Sequence, residues 1–418
     1  MMLKQALFIL FSLLLLPFCS IAEQKAVISV PIADLVGQPM ADLLCTITPN
    51  DAYAAIPICG GATPSDYACP RLHQLLYNDI VTVEKYHKNE ACIRIAHTFY
   101  ITQSSCMPQT CYWTLTKNIT LLDTITTQGI AIEHLPEQIH FSDRQSKAFT
   151  NKNIITLTQP HYDKTLDTTF SVGTRFVRSP HTKKRNTYIT VFATDYTTMH
   201  EHRIKIPTYK CMIFDENKTK KERIADYVNL LKKWAHQKNG SIAYVWGGTS
   251  FMSTINKPFT EVFQTKDGKT YSFYQHEDDT SSPKNGFDCS GLITRATQIC
   301  AIPYFCKNTT TIAHCLKPLT KETALSEGDL ILIKGHVMVV SDIQKNLLIE
   351  ARSYGHGYGK LHEIPLNKVF EGINTYQDLL EVYFSKKPIK RKDIQGMARD
   401  TFANVQLLSM ESVWEKAS

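Results

Sequence analysis

An Asp288-Cys289-Ser290-Gly291 step stands directly ahead of an apolar run, Leu292 to Ala296, and this junction constrains the chain more than any other stretch. The run reads as a helix, which puts Cys289 in its first turn. Unpaired backbone N–H groups and the helix dipole favour an anion there. A cysteine nucleophile acts as its thiolate, and such a position can draw the thiol below its usual pKa of about 8.5. The same N–H groups can hold the oxyanion of a tetrahedral intermediate. His336 opens a predicted strand after Gly335, so its ring can face the helix end. With a pKa near about 6.5, imidazole can take the thiol proton and return it to a leaving amine.

Such a base needs an orienting group on its second ring nitrogen. Val337 to Ser341 and Leu347 to Arg352 flank a polar turn, Asp342 to Asn346, and read as a hairpin. Folding about Ile343 brings Glu350 within about one residue of opposite His336, in reach across the strands. Glu350 is the third member on this reading. His356, between Gly355 and Gly357, is the alternative.

The rest of the chain divides by its patterning. From Ala26 to about Thr126, short β-like runs such as Val27–Val30, Ile80–Val83 and Cys92–Ile95 are broken by Pro and Gly turns. A second such region spans about 153–207, with Ile154–Leu157, Thr187–Val191 and Arg203–Ile206. Strands at this spacing suggest two small barrels, with one larger β-domain as the alternative. Thr219 to Lys238 has apolar residues at helical spacing, and helix and strand signals then alternate to about Phe384. The run Lys386 to Lys392 is basic and expected to be exposed, and the segment to Ser418 carries no assigned role.

The first 22 residues read as a secretory signal: Lys4, then an apolar run from Ala6 to Pro17, then small residues at Ser20 and Ala22. That run is short for a bilayer span, so no stable membrane insertion is expected. In an exported chain, six cysteines within one stretch (Cys45, Cys59, Cys69, Cys92, Cys106, Cys111) read as disulfide partners. Cys289 is the thiol expected to stay free. No zinc spacing accompanies the cysteines, so neither metal nor cofactor is expected. The formal charge of +7 suits work near an anionic polymer. No basic run is interleaved with a base-reading motif, so nucleic-acid binding is not implied.

Tyr244-Val245-Trp246-Gly247-Gly248, the Asp-Cys-Ser-Gly step, Gly328-Asp329-Leu330 and Gly335-His336-Val337 occur in that order. Together they resemble the signature of the NlpC/P60 family of cysteine peptidases, over about residues 219–384. The resemblance implies a papain-like core with Cys289 as nucleophile and His336 as base. The third family position, often a His before Ala, reads Ile349-Glu350-Ala351 here. Val30–Leu35, Gln74–Asp79 and Tyr112-Trp113 resemble the first bacterial SH3 domain of three-domain members, and residues about 153–207 resemble the second. Those members cut the γ-D-glutamyl-diamino acid bond of peptidoglycan stem peptides that carry a free L-Ala amine. Carried over, Asp79 would contact that ammonium and Tyr112 would form a wall, while Tyr244, Asp288 and Ser290 would line the pocket from the catalytic side.

The expected architecture is α+β. A signal peptide at 1–22 precedes SH3-like barrels at 23–135 and 136–212, a catalytic domain at 213–385 and a basic tail at 386–418. The expected protein is a monomeric, exported hydrolase of the periplasm or cell envelope, acting on stem peptides or muropeptides. Two other readings compete with it. One is a wall-adhering protein without catalysis; the other is a thiol acyltransferase on the same fold.

Overall fold

The structure, a computed structural model, describes residues 23–43, 48–56, 69–102, 107–140, 151–180, 187–255, 259–264, 270–275 and 284–415. The segment expected as a signal peptide lies outside these residues. No helix among them is long and apolar enough to cross a membrane.

Alternating apolar residues build the first β region. Gln24–Ile28, Ile32–Val36, Arg71–Leu76, Ile80–His87, Glu90–Arg94, Cys111–Leu115 and Ile119–Leu121 form one antiparallel sheet. Ala26, Leu35, Val81, Ile93 and Tyr112 share its core. Arg71–Leu76 lies at one edge and Ile119–Leu121 at the other. No pairing joins these edges among the described residues, so the sheet stays open where a closed barrel is expected.

The second region is three small sheets. Ile154–Leu157 runs between Arg175–Val177 and Cys211–Ile213, and beside this trio stand two hairpins, His161–Asp163 with Thr168–Phe170 and Tyr188–Asp195 with His200–Pro207. Phe170, Phe176, Val191 and Ile206 enclose Tyr77 of the first region, whose hydroxyl donates to the Thr194 carbonyl at 2.6 Å. The two β regions therefore pack through a common core.

The remaining half carries the helices. Thr219 and Glu222 cap Lys220–Ala235 reciprocally, satisfying two backbone donors that the first turn cannot. Trp234 on that helix stacks on Phe287, just ahead of the helix Cys289–Ile299. Both helices cover a five-stranded sheet ordered Lys360–Pro365, Leu347–Arg352, His336–Asp342, Leu330–Ile333 and Gln406–Leu408. Strand alternation separates its faces. Val337, Val339 and Ile349 pack toward the helices. Met338, Val340 and Leu348 pack against Leu366, Phe370 and Ile389.

Within the expected basic tail, Lys386, Lys387 and Lys390 are exposed as expected, but the described residues to Glu415 also build into the fold. Ile389–Lys392 pairs with Ala398–Phe402, and Gln406–Leu408 forms the sheet's edge beside Leu330–Ile333. Alternation again explains it: Ile389, Arg391 and Asp393 are buried while Lys390 faces solvent. Basic composition concealed a two-residue period. Cys92 and Cys111 are neighbouring thiols that share a hydrogen bond, and no disulfide occurs among the described residues. Cys45, Cys59 and Cys106 lie outside the described residues.

Leu407, fully buried in the edge strand, tests whether the C-terminal segment belongs to the fold. Leu407→Ala is expected to lower the urea-unfolding free energy by about 2–5 kcal/mol, the usual cost of emptying a core site. A loss below about 0.5 kcal/mol, typical of a surface position, would mark the segment as an appendage.

Candidate active site

Asp288 caps the helix Cys289–Ile299. One carboxylate oxygen accepts from the Gly291 N–H and from Ser290 Oγ at 2.9 Å, capping the first turn. The other pairs with the buried Lys307 ammonium, which also donates to Ser290 Oγ at 3.1 Å. Asp288 and Ser290, expected to line a pocket, thus spend their polar atoms inside the protein. Lys307 has no signal in the sequence. Its strand Cys306–Lys307 is held beside Phe99–Tyr100 of the first region, a long-range pairing.

The glycines of the Tyr-x-Trp-Gly-Gly segment let three backbones meet at this point. A Cβ on Gly291 would stand 2.0 Å from the Gly248 carbonyl oxygen, and one on Gly247, at φ +72°, would stand 2.7 Å from the Arg71 carbonyl oxygen. Arg71 and Gln74 lock the first sheet onto this segment. Arg71 donates to Asp34 at 2.8 Å and to the Trp246 carbonyl at 3.0 Å, and the Gln74 carbonyl and side chain hold Thr249.

Cys289 is the first helical residue and is 8% exposed. It packs in one core with Tyr244, Val337 and Ile349. The strand ladder beside it runs from Val339↔Ile349 to Asp342↔Leu347, with a bulge between Val340 and Asp342. Val337 therefore lies beyond the paired part of that ladder, and its N–H faces the Cys289 sulfur together with the Ser290 N–H. Burial first, and the Asp288 charge second, push the thiol up to about 11 against those donors. No hydrogen bond joins the thiol to the His336 ring among the described residues.

His336 Nε2 meets Glu350 Oε2 at 2.7 Å, with Glu350 fully buried. Continued past its last pair, the ladder sets Glu350 across from Met338, so His336 reaches it diagonally, two residues along the same face. The hairpin turns between Gln344 and Lys345 rather than about Ile343, which carries the register past the expected one-residue offset, and the bulge takes one residue of that shift back. Glu350 also accepts from Arg391 at 2.5 Å and from His362 at 3.2 Å, and Arg352 lies 3.5 Å away. None of these three partners was expected. Burial alone would raise the Glu350 carboxyl, but Arg391 and Arg352, with the two histidines, hold it well below the usual carboxylate range. Burial first and the Arg391 charge second lower His336 to about 4. At neutral pH both thiol and imidazole are uncharged.

Tyr112 is fully buried in the first sheet, its hydroxyl donating to the Gln109 carbonyl at 3.1 Å. Asp79 closes the turn after Arg71–Leu76 by accepting from the Leu76 N–H at 2.8 Å. Tyr244 is buried beside Tyr354, with ring centroids 6.3 Å apart. The side chain of His356 lies outside the described residues. Among the described residues no group of three or more His, Cys, Asp or Glu side chains is arranged to hold a metal ion. A cleft of about 600 Å³ opens at Gly335, the residue before His336, walled by Thr309, Thr310, Lys334 and the C-terminal residues Thr401 and Asn404.

No protein-family model matches this chain, and no curated protein matches it either. Among solved structures it is similar to an NlpC/P60 family protein from Bacillus cereus ATCC 10987, at 15% identity over 82% of this chain and 94% of that one, with a TM-score of 0.49. It is also similar to NlpC2 and NlpC1 from Trichomonas vaginalis. Their identities are 10% and 11%, over 83% of this chain and 94% and 89% of theirs, with TM-scores of 0.30 and 0.29. The chemistry of the site rests on the geometry around Cys289 and His336.

The lowered His336 has a thermodynamic consequence. Between pH about 6.5 and about 4 the unfolded chain binds a proton at His336 that the folded chain refuses. This contribution to stability is complete above pH 6.5 and is lost as pH falls toward 4, amounting to roughly 3 kcal/mol. His336→Gln is expected to flatten the pH dependence of unfolding free energy in that window relative to wild type. Parallel slopes for the two proteins would contradict a buried neutral imidazole.

Proposed function

We propose that this chain is an exported cysteine peptidase that hydrolyses the γ-D-glutamyl-diamino acid bond of peptidoglycan stem peptides. The observation that carries the enzyme reading is the commitment of His336 Nε2 to the buried Glu350 carboxylate, one residue before the Val337 N–H that faces the sulfur of a helix-starting cysteine. With Nε2 so held, Nδ1 is the nitrogen able to take the thiol proton. The substrate class rests on the motif resemblance in the sequence, and export rests on the first 22 residues.

The chemistry runs in balanced steps. As substrate enters, the Cys289 proton passes to His336 Nδ1 and sulfur bonds to the scissile carbonyl carbon. The oxyanion lies at the helix start, where the Cys289 N–H is available as a donor. The carbon–nitrogen bond then breaks, and the Nδ1 proton leaves with the amine. Water, deprotonated by Nδ1, attacks the thioester and releases the acid, returning the proton to sulfur. Burial that keeps both groups neutral at rest defers charge separation until the carbonyl is present to receive the sulfur. The open sheets ahead of this half stand where the resemblance expects SH3-like domains, and we assign them to positioning the stem.

Mass spectrometry of L-Ala-γ-D-Glu-meso-diaminopimelate incubated with the mature chain tests this reading. Wild type is expected to release the diamino acid by water addition, and Cys289→Ala to lower kcat/KM by at least about 10⁴-fold while melting like wild type. Equal turnover by the variant, or no turnover by wild type on free and N-acetylated stems alike, would reject the assignment.

A further inference from the structure

The Glu350 carboxylate is shared among more partners than a base-orienting group needs. Around it stand His336 from the neighbouring strand, Arg352 from its own strand, His362 from Lys360–Pro365 and Arg391 from the C-terminal hairpin. Tyr358 faces Arg352, whose guanidinium carbon lies 4.5 Å from its ring centroid. Asp393 adds a more distant negative charge and is itself paired with Arg399 at 2.6 Å. Arg391 differs from the rest in where it comes from. It lies 41 residues beyond Glu350, in a hairpin outside the segment that carries the motifs.

We propose that Arg391 is a positioning residue for the base: its guanidinium clamps the same Glu350 oxygen that orients His336, so the C-terminal hairpin sets both the direction and the basicity of the imidazole. The shared atom is Oε2, which receives His336 at 2.7 Å and Arg391 at 2.5 Å. Sharing has two effects. It fixes the carboxylate against rotation about its last torsion, so the lone pair facing Nε2 keeps its direction. It also cancels much of the carboxylate's attraction for an imidazolium, which keeps the ring neutral and able to accept the thiol proton. The hairpin can do this because alternation turns Arg391 inward between exposed Lys390 and half-buried Lys392. Backbone contacts fix its distance from the sheet: the Lys392 carbonyl accepts from Arg352, and the Glu371 N–H donates to the Lys390 carbonyl at 3.0 Å.

This inference deepens the peptidase reading and rests on it, but it can be tested without turnover. In the full chain carrying Cys289→Ala, the His336 ring nitrogens are titrated by nitrogen NMR with and without Arg391→Met. Removing the guanidinium is expected to raise the His336 midpoint by at least about one unit, with the proton still on the Glu350 side. Arg391→Lys keeps a cation and is expected to stay within about half a unit of the parent. Arg391→Gln replaces the Met variant if the latter does not fold. An unmoved midpoint in the neutral variants, or an equal shift in the Lys variant, would overturn the proposal. Loss of stem hydrolysis by wild type would sink the function while leaving this titration interpretable.

Discussion

One fully buried carboxylate organises the C-terminal half of this protein. Glu350 draws an imidazole, a second histidine and two guanidiniums from four separate stretches of chain into a single charge cluster. A carboxylate removed from water is costly unless cations and donors surround it, and the same holds for the arginines. Each group is therefore tolerated only because the others are present. Deleting the acid would strand two guanidiniums, at a cost of about 3–5 kcal/mol by comparison with other broken buried pairs. That mutual dependence ties the C-terminal hairpin to the sheet and keeps the His336 ring in one orientation.

The position of Cys289 depends on a different constraint, the close meeting of backbones at Gly247, Gly248 and Gly291. Only glycine fits where the Gly248 carbonyl would stand 2.0 Å from a Cβ on residue 291. This contact puts the start of the Cys289 helix against the segment that Arg71 and Gln74 of the first sheet also hold. The β regions are thus joined to the site through Thr249 and Trp246. Such rigid coupling suits a thiol whose reactivity depends on neighbours a few ångströms away.

Much of the site was legible because its chemistry is local. The apolar run after Asp288-Cys289 announces a helix with Cys289 in its first turn, and the polar turn from Asp342 to Asn346 announces a hairpin; the structure has both, and with them the His336–Glu350 contact. What escaped is non-local or hidden by composition. The hairpin turns between Gln344 and Lys345 rather than about Ile343, which makes the His336–Glu350 pairing diagonal, and no residue type in the polar turn signals its exact centre. Lys307 reaches Asp288 only because its strand docks on the first β region. Arg391 was concealed in a basic run whose charge reads as solvent exposure, although the Ile389, Arg391, Asp393 alternation was present. Tyr112 and Asp79 sit in a core and in a turn, where their polar atoms bond the Gln109 carbonyl and the Leu76 N–H.

The central claim is that His336, oriented by Glu350, serves the Cys289 sulfur through Nδ1. A crystal structure of the chain covalently captured by an electrophilic stem peptide tests it most directly. The expected result is a bond from Cys289 Sγ to the electrophile, His336 Nδ1 within about 3.5 Å of that sulfur or of the departing atom, and Nε2 still on Glu350. A captured complex whose ring leaves Glu350, or whose Nδ1 stays out of reach of the modified sulfur, would contradict it.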